Sequence, residues 1–297
     1  MAEPTRFELS VPGVGTVTAY RWDARATGRP LVVVHGYAEH ALRHRRVAAA
    51  ATAAGHPVVA LDLPGHGRSP GERALVRSYA PFVAAVGAAV EAAASQGPGR
   101  PVLFGHSMGG AVALAYALER PATLERLVLS APYLLDAATR PRWMTALAGA
   151  LATLAPRLPV VALDAGALSR DPAVAPAYTG DPLVHSGPVK AATGHTLTRS
   201  GRELLERAPG LRVPTLVLHG EADAVAALEG SRRLAAAAPA GTLELVTFPG
   251  AYHELHNEPE DTGVPQRFVA AVLASLAGQA AGASADASRE SASSSTS

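Results

Sequence analysis

The sequence predicts an α/β fold in which a mostly parallel central sheet is flanked by helices. From residue 31 onward, short and continuously apolar segments alternate with alanine-rich helical segments, a pattern typical of parallel strands that are covered on both faces. The predicted strands are residues 31–35, 58–61, 102–104, 127–130, 215–218 and 243–248. The predicted helices include residues 47–54, 79–94, 111–118 and 267–276. Two alternating segments, residues 7–11 and 16–20, predict a hairpin before the first of these strands.

The alternation stops between residues 131 and 208, and this interruption divides the chain. The region holds many prolines and no clear strand, so we expect a mainly helical cap inserted into a core of residues 1–130 and 209–277. Residues 278–297 consist mostly of alanine, serine and glycine. Such a segment cannot bury enough apolar surface to fold, so we expect a disordered tail.

Composition limits the class of protein. The chain has 297 residues, of which 48% are hydrophobic and 17% are charged, and this suits a large buried core. A net charge of +1 gives no electrostatic case for nucleic acid, and the basic run RHRR at residues 43–46 is most simply a solvated helix face.

No apolar segment approaches ~18 residues, so no membrane span is expected, and the first residues lack the apolar region of a signal peptide. The absence of cysteine fits the cytoplasm. Lys190 is the sole lysine, and together with the excess of alanine this indicates a GC-rich bacterial coding sequence.

The most informative motif is GHSMGG, residues 105–110, which directly follows a predicted strand. It matches the G-x-S-x-G pattern, in which a serine stands at a sharp strand-to-helix turn. Gly105 and Gly109 leave room for that strained turn, and the following helix places N–H groups and the positive end of its dipole beside Ser107. A turn that merely contains a serine is the alternative. The strand before the motif and the helix after it favour a nucleophile instead.

Candidates for an acid and a base follow Ser107 in the chain. Asp223 comes after a predicted strand, at the sheet edge where α/β proteins place their ligands. Glu221 is the alternative acid, but it lies closer to the end of the strand, so Asp223 is favoured. His253 follows the last predicted strand and is favoured over His256 as the base. The order serine, acid, histidine is that of α/β-hydrolases and differs from the chymotrypsin and subtilisin orders.

Other motifs do not support a metal or nucleotide site. The string HELH, residues 253–256, is similar to the zinc motif H-E-x-x-H but has Asn257 where the second histidine is required. His40 and His44 have helical spacing, yet no third ligand accompanies them, so we expect solvated side chains. The glycine-rich loop of residues 62–71 lacks the G-K-[ST] ending of a phosphate-binding loop and indicates a structural turn.

The motif HGYAEH, residues 35–40, suggests an oxyanion hole because it follows the first core strand. By position, the expected donors are the backbone N–H groups of Tyr37 and Met108. For His35 we expect a structural role in the loop.

Together these motifs resemble the monoacylglycerol lipase/lysophospholipase branch of the α/β-hydrolases. The matching strings, from about residue 31 to residue 259, are HGYAEH, DLPGHGRSPGER, GHSMGG, SAPYL, SRDPAVAPAYTGDPLVHSG, HGEAD and FPGAYHELHNEP. The resemblance implies an inserted cap on an α/β-hydrolase fold. The site residues it implies are Ser107 as nucleophile, Asp223 as orienting acid, His253 as base, and Tyr37 and Met108 as oxyanion donors.

Two positions depart from the family pattern. Tyr37 stands where relatives often have a small residue, and this would narrow the acyl channel. Leu228 stands where relatives often have proline, which affects only local loop shape.

The implied activity is hydrolysis of a carboxylic ester with one long acyl chain, with monoacylglycerol as the favoured substrate and no cofactor or metal. The predicted partner is a small lipid-like ester, a transient contact with a membrane surface is allowed, and the oligomeric state stays open. The alternative substrates are lysophospholipids, thioesters, other carboxylic esters and peptides with a free N-terminus. A silent binding protein on the same fold is disfavoured by the intact serine, acid and histidine. Residues with helical spacing in the insertion are predicted to line the acyl pocket: Trp143, Met144, Leu147 and Leu151, with Leu154 on the same stripe.

Overall fold

The structure, a computed structural model, describes residues 3–25, 27–137 and 149–279. Its strands are β1 (Thr5–Val11), β2 (Gly15–Trp22), β3 (Leu31–Val34), β4 (Val58–Leu61), β5 (Val102–His106), β6 (Arg126–Ser130), β7 (Pro159–Val161), β8 (Val189–Lys190), β9 (Thr215–Gly220) and β10 (Leu243–Phe248). Its helices are α1 (Arg45–Ala53), α2 (Ala80–Ala94), α3 (Met108–Glu119), α4 (Val174–Thr179), α5 (Ala191–Arg207), α6 (Leu228–Ala237) and α7 (Val264–Leu276).

Eight of these strands form the central sheet, in the order β1-β2-β4-β3-β5-β6-β9-β10. The hairpin of β1 and β2 is antiparallel, and β2 pairs antiparallel with β4. Every pair from β4 to β10 is parallel. The predicted mostly parallel sheet is therefore confirmed, and the carboxyl ends of six parallel strands meet at one edge.

Helices cover both faces of the sheet, and this explains why the core strands are apolar throughout. Successive residues of β3 point to opposite faces: Val32 and Val34 pack with α2 and α3, whereas Val33 packs with α1 and α7. All residues of β3, β4, β5 and β9 are buried. A strand buried on both faces gains stability from every side chain, so polar alternation is absent.

The described part of residues 131–208 is mostly helical. It contains a helical segment at residues 149–154, followed by α4 and α5. The expectation of no strand in this region is wrong, because β7 and β8 form a small antiparallel pair. Since β8 has two residues and β7 begins at a proline, neither shows the alternation that predicts a strand.

Several predicted features lie outside the described residues. These are Trp143, Met144 and Leu147 of the predicted acyl pocket, and residues 280–297 of the predicted tail. Leu151 is described and half-buried, whereas Leu154, one turn further along, is 84% exposed. Within the three described ranges, no helix combines the length and apolarity needed to cross a membrane.

Candidate active site

Ser107 lies at the turn between β5 and α3, at the carboxyl edge of the sheet. Its backbone has φ 54° and ψ −120°, a conformation that costs a side-chain-bearing residue about 1–3 kcal/mol. Three backbone hydrogen bonds hold it there. The Ser107 N–H donates to Ser130 at 2.9 Å, and its carbonyl accepts from Ala111 at 3.1 Å and Tyr133 at 3.0 Å. The residue is 7% exposed and is therefore buried at this edge.

The glycines on either side of Ser107 allow backbone segments to touch. A Cβ atom on Gly105 would lie 2.4 Å from the carbonyl oxygen of Gly109. A Cβ on Gly109 would lie 2.2 Å from the carbonyl oxygen of His35. Since both contacts are with backbone oxygens, neither can be relieved by a side-chain rotation. The first turn of α3 can therefore pack on β5 and β3 only with glycine at these positions.

Asp223 is the carboxylate that the structure brings to His253. One of its oxygens, Oδ1, accepts the N–H groups of Val225 at 2.8 Å and Ala226 at 2.9 Å. The other, Oδ2, lies 2.7 Å from Nδ1 of His253 and 3.3 Å from Nε2 of His219. Burial opposes the charge of this carboxyl, but the two histidines outweigh that effect and hold the pKa of Asp223 well below its ordinary value.

Glu221, the alternative acid, is exposed and accepts a hydrogen bond from Oγ1 of Thr247 at 2.8 Å. It stands on the solvent side of the strand end. The structure thus places Asp223, and not Glu221, beside a histidine.

His253 is buried, with 3% of its side chain exposed. Its contact with Asp223 fixes the proton on Nδ1 and leaves Nε2 as the basic nitrogen. Burial lowers its pKa, but Asp223 outweighs this, with added contributions from Glu254 and Glu39, so that the pKa of His253 is raised. The His253 ring lies 4.8 Å from the ring of His106, the residue before Ser107.

His253 therefore lies beside the residue that precedes Ser107, and none of the hydrogen bonds of the described residues joins Ser107 Oγ to the imidazole. Such bonds commonly tighten only when substrate binds. His256, the alternative base, is fully buried and packs against His44 and Phe268, with ring centroids 4.8 and 5.8 Å away.

The loop after β3 passes directly beside Ser107. A Cβ on Gly36 would lie 3.2 Å from Cβ of Ser107. Met108 is the first residue of α3, so its N–H has no acceptor within the helix. Among the hydrogen bonds of the described residues, neither the Tyr37 N–H nor the Met108 N–H has a protein acceptor. Both groups are thus available to a negatively charged oxygen near Ser107.

His35 holds this loop against the next one. Its Nδ1 donates to the carbonyl of Gly36 at 2.7 Å, and its Nε2 accepts the N–H of Leu63 at 2.9 Å. The ring is therefore neutral, and burial lowers its pKa to about 4. This geometry agrees with the structural role expected for His35.

The run RHRR was expected to form a solvated helix face, and this is wrong for Arg43 and His44. His44 is fully buried and contacts Oε1 of Glu39 at 3.0 Å. Arg43 lies between Glu39 and Glu254, at 2.8 and 2.7 Å. The partner Glu254 is 211 residues away in the chain, so local spacing could not have revealed the contact.

His40 was also expected to be solvated and is instead 4% exposed, with Nε2 2.9 Å from Asp181. Its partner lies in the segment between β6 and β9. No group of three or more histidine, aspartate or glutamate side chains within the described ranges could hold a metal ion.

Residues that the sequence reasoning missed brace the loop that carries His253. The N–H of Glu254 donates to Leu168 at 2.7 Å, and Oγ of Ser169 donates to Asn257 at 2.7 Å. Nε of Arg170 donates to the buried carboxylate of Glu258 at 2.5 Å. The string HNEP, which contributed to the family resemblance, was the signal that could have identified Asn257 and Glu258 as structural partners.

Fold and site together define an α/β-hydrolase: a serine at a strained turn after β5, an acid after β9 and a histidine after β10. The chain belongs to the serine aminopeptidase (S33) hydrolase family, whose model matches residues 26–260.

Individual relatives agree with this family. The chain is 41% identical to a monoacylglycerol lipase of Mycolicibacterium smegmatis over 264 residues, which cover 88% of this chain and 94% of that protein. It is 35% identical to the human monoglyceride lipase, with 81% of each chain covered. The crystal structure of a Paleococcus ferrophilus monoacylglycerol lipase superposes with a TM-score of 0.78 at 32% identity, covering 88% of this chain and 98% of that one. The resemblance to the monoacylglycerol lipase branch is therefore confirmed.

Proposed function

We propose that this protein hydrolyses monoacylglycerol to a fatty acid and glycerol, with Ser107, His253 and Asp223 as its catalytic triad. The observation that carries the proposal is the 2.7 Å contact between His253 and Asp223, at the sheet edge where Ser107 occupies its strained turn. Relatives named monoacylglycerol or monoglyceride lipase at 41% and 35% identity support the choice of substrate.

The proposed reaction has two stages. As Oγ of Ser107 attacks the ester carbonyl, Nε2 of His253 takes its proton, and Asp223 stabilises the imidazolium. The N–H groups of Tyr37 and Met108 stabilise the oxyanion. His253 then gives the proton to the departing glycerol oxygen, leaving an acyl group on Ser107. In the second stage a water molecule attacks this ester with His253 again as base, which releases the fatty acid and restores the serine.

A serine aminopeptidase activity is the second candidate, because the family description names it. Such an enzyme needs an anionic group to bind the free α-ammonium of its peptide. Three buried carboxylates near the histidine loop and the oxyanion loop are already paired: Glu39 and Glu254 with Arg43, and Glu258 with Arg170. None of the three is free to bind an ammonium group, and this favours a neutral ester.

The division into parts also belongs to this proposal. We assign residues 1–130 and 209–277 to the hydrolase core and residues 131–208 to a cap over the site, and the tail of residues 278–297 stays a prediction from the sequence. The pocket lining by Trp143, Met144, Leu147 and Leu151, the transient contact with a membrane surface and the cytoplasmic location stay predictions from the sequence.

The test combines a nucleophile variant with a substrate panel. Ser107→Ala should abolish both ester hydrolysis and covalent labelling by a fluorophosphonate, since loss of one triad member costs on the order of 10⁴-fold. The panel contains a monoacylglycerol, a lysophospholipid, an acyl thioester and an aminoacyl amide, and kcat/KM should be highest for the monoacylglycerol. Covalent labelling of the Ser107→Ala variant would contradict the assignment of Ser107 as the nucleophile. A higher kcat/KM for the aminoacyl amide would replace the lipase proposal with the aminopeptidase.

A further inference from the structure

Arg43 occupies a buried position between the two loops that carry the proposed catalytic groups. Its Nη1 donates to Oε2 of Glu39 at 2.8 Å and to Oε1 of Glu254 at 2.7 Å, and its Nη2 donates to Oε2 of Glu254 at 2.9 Å. The side chains of Arg43, Glu39 and Glu254 are 11%, 3% and 2% exposed. One guanidinium therefore joins two carboxylates from distant parts of the chain, away from solvent.

Each carboxylate is attached to a different part of the site. Glu39 accepts the N–H of Gly36 at 2.5 Å, so it holds the backbone directly before the proposed donor Tyr37. Glu254 follows His253 in the chain, and its carboxylate also accepts Nδ2 of Asn257 at 2.7 Å. A shift of Arg43 would therefore be transmitted to both the oxyanion loop and the histidine loop.

The network favours one geometry because both carboxylates stay charged although they are buried. Burial raises the pKa of Glu39, but His44 and Arg43 outweigh it and keep this carboxylate ionised. Arg43 likewise outweighs burial at Glu254 and keeps its pKa low. The planar fork of a guanidinium fixes direction as well as distance, which an ammonium group does not.

A residue from the segment between β6 and β9 also packs against Arg43. The ring of Tyr178 in α4 lies 4.6 Å from the guanidinium carbon of Arg43, in cation–π contact. Arg43 is thus enclosed by two carboxylates and an aromatic ring, and these three groups restrict its side-chain conformation.

We propose that Arg43 is a positioning residue that aligns the oxyanion loop with the histidine loop, acting through Glu39 on Gly36 and Tyr37 and through Glu254 on His253. This inference rests on the proposed triad and oxyanion hole. Among the described residues, the hydrogen bonds of Arg43 go to Glu39 and Glu254 and not to the proposed catalytic groups themselves. Its function is to keep the distance between the two loops constant while the reaction passes through its charged transition states.

The test is Arg43→Lys, which keeps a cation between the carboxylates and removes the fork. We expect a folded protein whose kcat for a short acetate ester falls about 10- to 100-fold with little change in KM, because misplaced catalytic groups affect the transition state more than substrate binding. The rate must be expressed per active site, counted by fluorophosphonate titration, so that unfolded molecules are excluded.

The matched control is Arg46→Lys, which changes an arginine in the first turn of α1. Arg46 pairs with Glu260 at the surface, where the two side chains are 38% and 60% exposed. Its kcat should equal that of the wild type. Equal kcat values per active site for Arg43→Lys and the wild type would overturn the positioning role.

A second variant keeps the proposal testable if Arg43→Lys does not fold. Glu254→Gln retains the size of the side chain and weakens only the contact between Arg43 and residue 254, which belongs to the histidine loop. We expect a lower kcat per active site and a shift of the downfield Nδ1 proton resonance of His253, which a purely structural loss of stability would not move. Where Arg43→Lys does fold, the double variant should lower kcat by less than the product of the two single effects, since both substitutions act on one contact. A wild-type kcat together with an unmoved resonance would overturn the proposal.

These results are separable from the proposed function. If Ser107→Ala still hydrolyses esters, the triad itself is wrong. If Ser107→Ala is inactive while the Arg43 and Glu254 variants keep wild-type kcat, the triad stands and only the positioning role fails.

Discussion

Two pairs of loops at the carboxyl edge of the sheet each hold a buried histidine, and they use it differently. The loops after β3 and β4 enclose His35, whose two nitrogens contact only backbone groups and whose pKa falls to about 4. The loops after β9 and β10 enclose His253, whose Nδ1 contacts the carboxylate of Asp223 and whose pKa is raised. Burial alone makes a neutral bridge between loops. At His253 the buried carboxylate of Asp223 outweighs burial, and this suits the role of base that we propose for it.

The carboxylates of the two regions show the same contrast. Asp62 is fully buried after β4 and accepts from the hydroxyl of Tyr20 at 3.1 Å and from the N–H groups of Ala41 at 2.9 Å and Arg68 at 2.8 Å. It organises the glycine-rich loop as a structural turn. Asp223 uses one oxygen for backbone N–H groups in the same manner but directs the other to His253. The direction of one oxygen separates a structural acid from the proposed catalytic one.

The largest expected effect tests this contrast directly. Asp223→Asn should leave the fold intact and lower kcat by roughly 10⁴-fold, because an amide at this position favours the wrong tautomer of His253. Steady-state hydrolysis of a short ester, with circular dichroism as a check on folding, measures it.

Glu221→Gln is the matched control, since the exposed carboxylate of Glu221 accepts from Thr247 and lies on the solvent side of the strand end. It should retain the wild-type kcat. A severe loss in Glu221→Gln beside a mild one in Asp223→Asn would assign the orienting role to the other acid.

The sequence predicted the elements of the sheet edge well because each is marked locally. Glycines at 105 and 109 mark the turn at Ser107, and the backbone contacts of Gly105 and Gly109 show why no other residue fits. The order of strands also placed Asp223 and His253 at one edge before their contact was known.

The sequence could not predict contacts that depend on tertiary distance. Arg43 and His44 lie in a basic run typical of a solvated helix, and only the fold places Glu254, 211 residues from Arg43, against it. For the same reason His40 was not matched with Asp181, 141 residues away. A buried ion pair between distant segments leaves no local periodicity.

A second prediction concerns stability in mild acid and separates the two kinds of histidine. Burial lowers the pKa of His35 to about 4 and that of His66 to about 3, against an ordinary value of about 6.5 in the unfolded chain. The unfolded chain therefore binds protons first as the pH falls, and stability present above pH ~6.5 is lost toward pH ~4. The raised pKa of His253 has the opposite sign, since its charged form is stabilised in the fold.

For His35 and His66 together, the loss of unfolding free energy between about pH 7 and pH 5 is about 4 kcal/mol, roughly 2 kcal/mol for each ring. Urea denaturation at the two pH values measures it. His66→Leu removes one of the two titrating groups, so its loss over the same interval should be smaller by about 2 kcal/mol. An equal loss in both proteins would show that the His66 ring charges in the folded state.

The smallest expected effect concerns the helical segment of residues 149–154, where Leu151 is half-buried and Leu154, one turn further along, is 84% exposed. If Leu151 lines the acyl channel, Leu151→Asp removes apolar contact with the acyl chain, and each lost methylene contact costs ~0.8 kcal/mol. The kcat/KM for a long-chain monoacylglycerol should then fall about tenfold relative to that for an acetate ester. Leu154→Asp is the control and should leave the ratio of the two kcat/KM values unchanged when substrate is kept monomeric. An equal loss of activity on both esters in a folded Leu151→Asp protein would exclude Leu151 from the channel. It would leave the chain-length preference to residues elsewhere around Ser107.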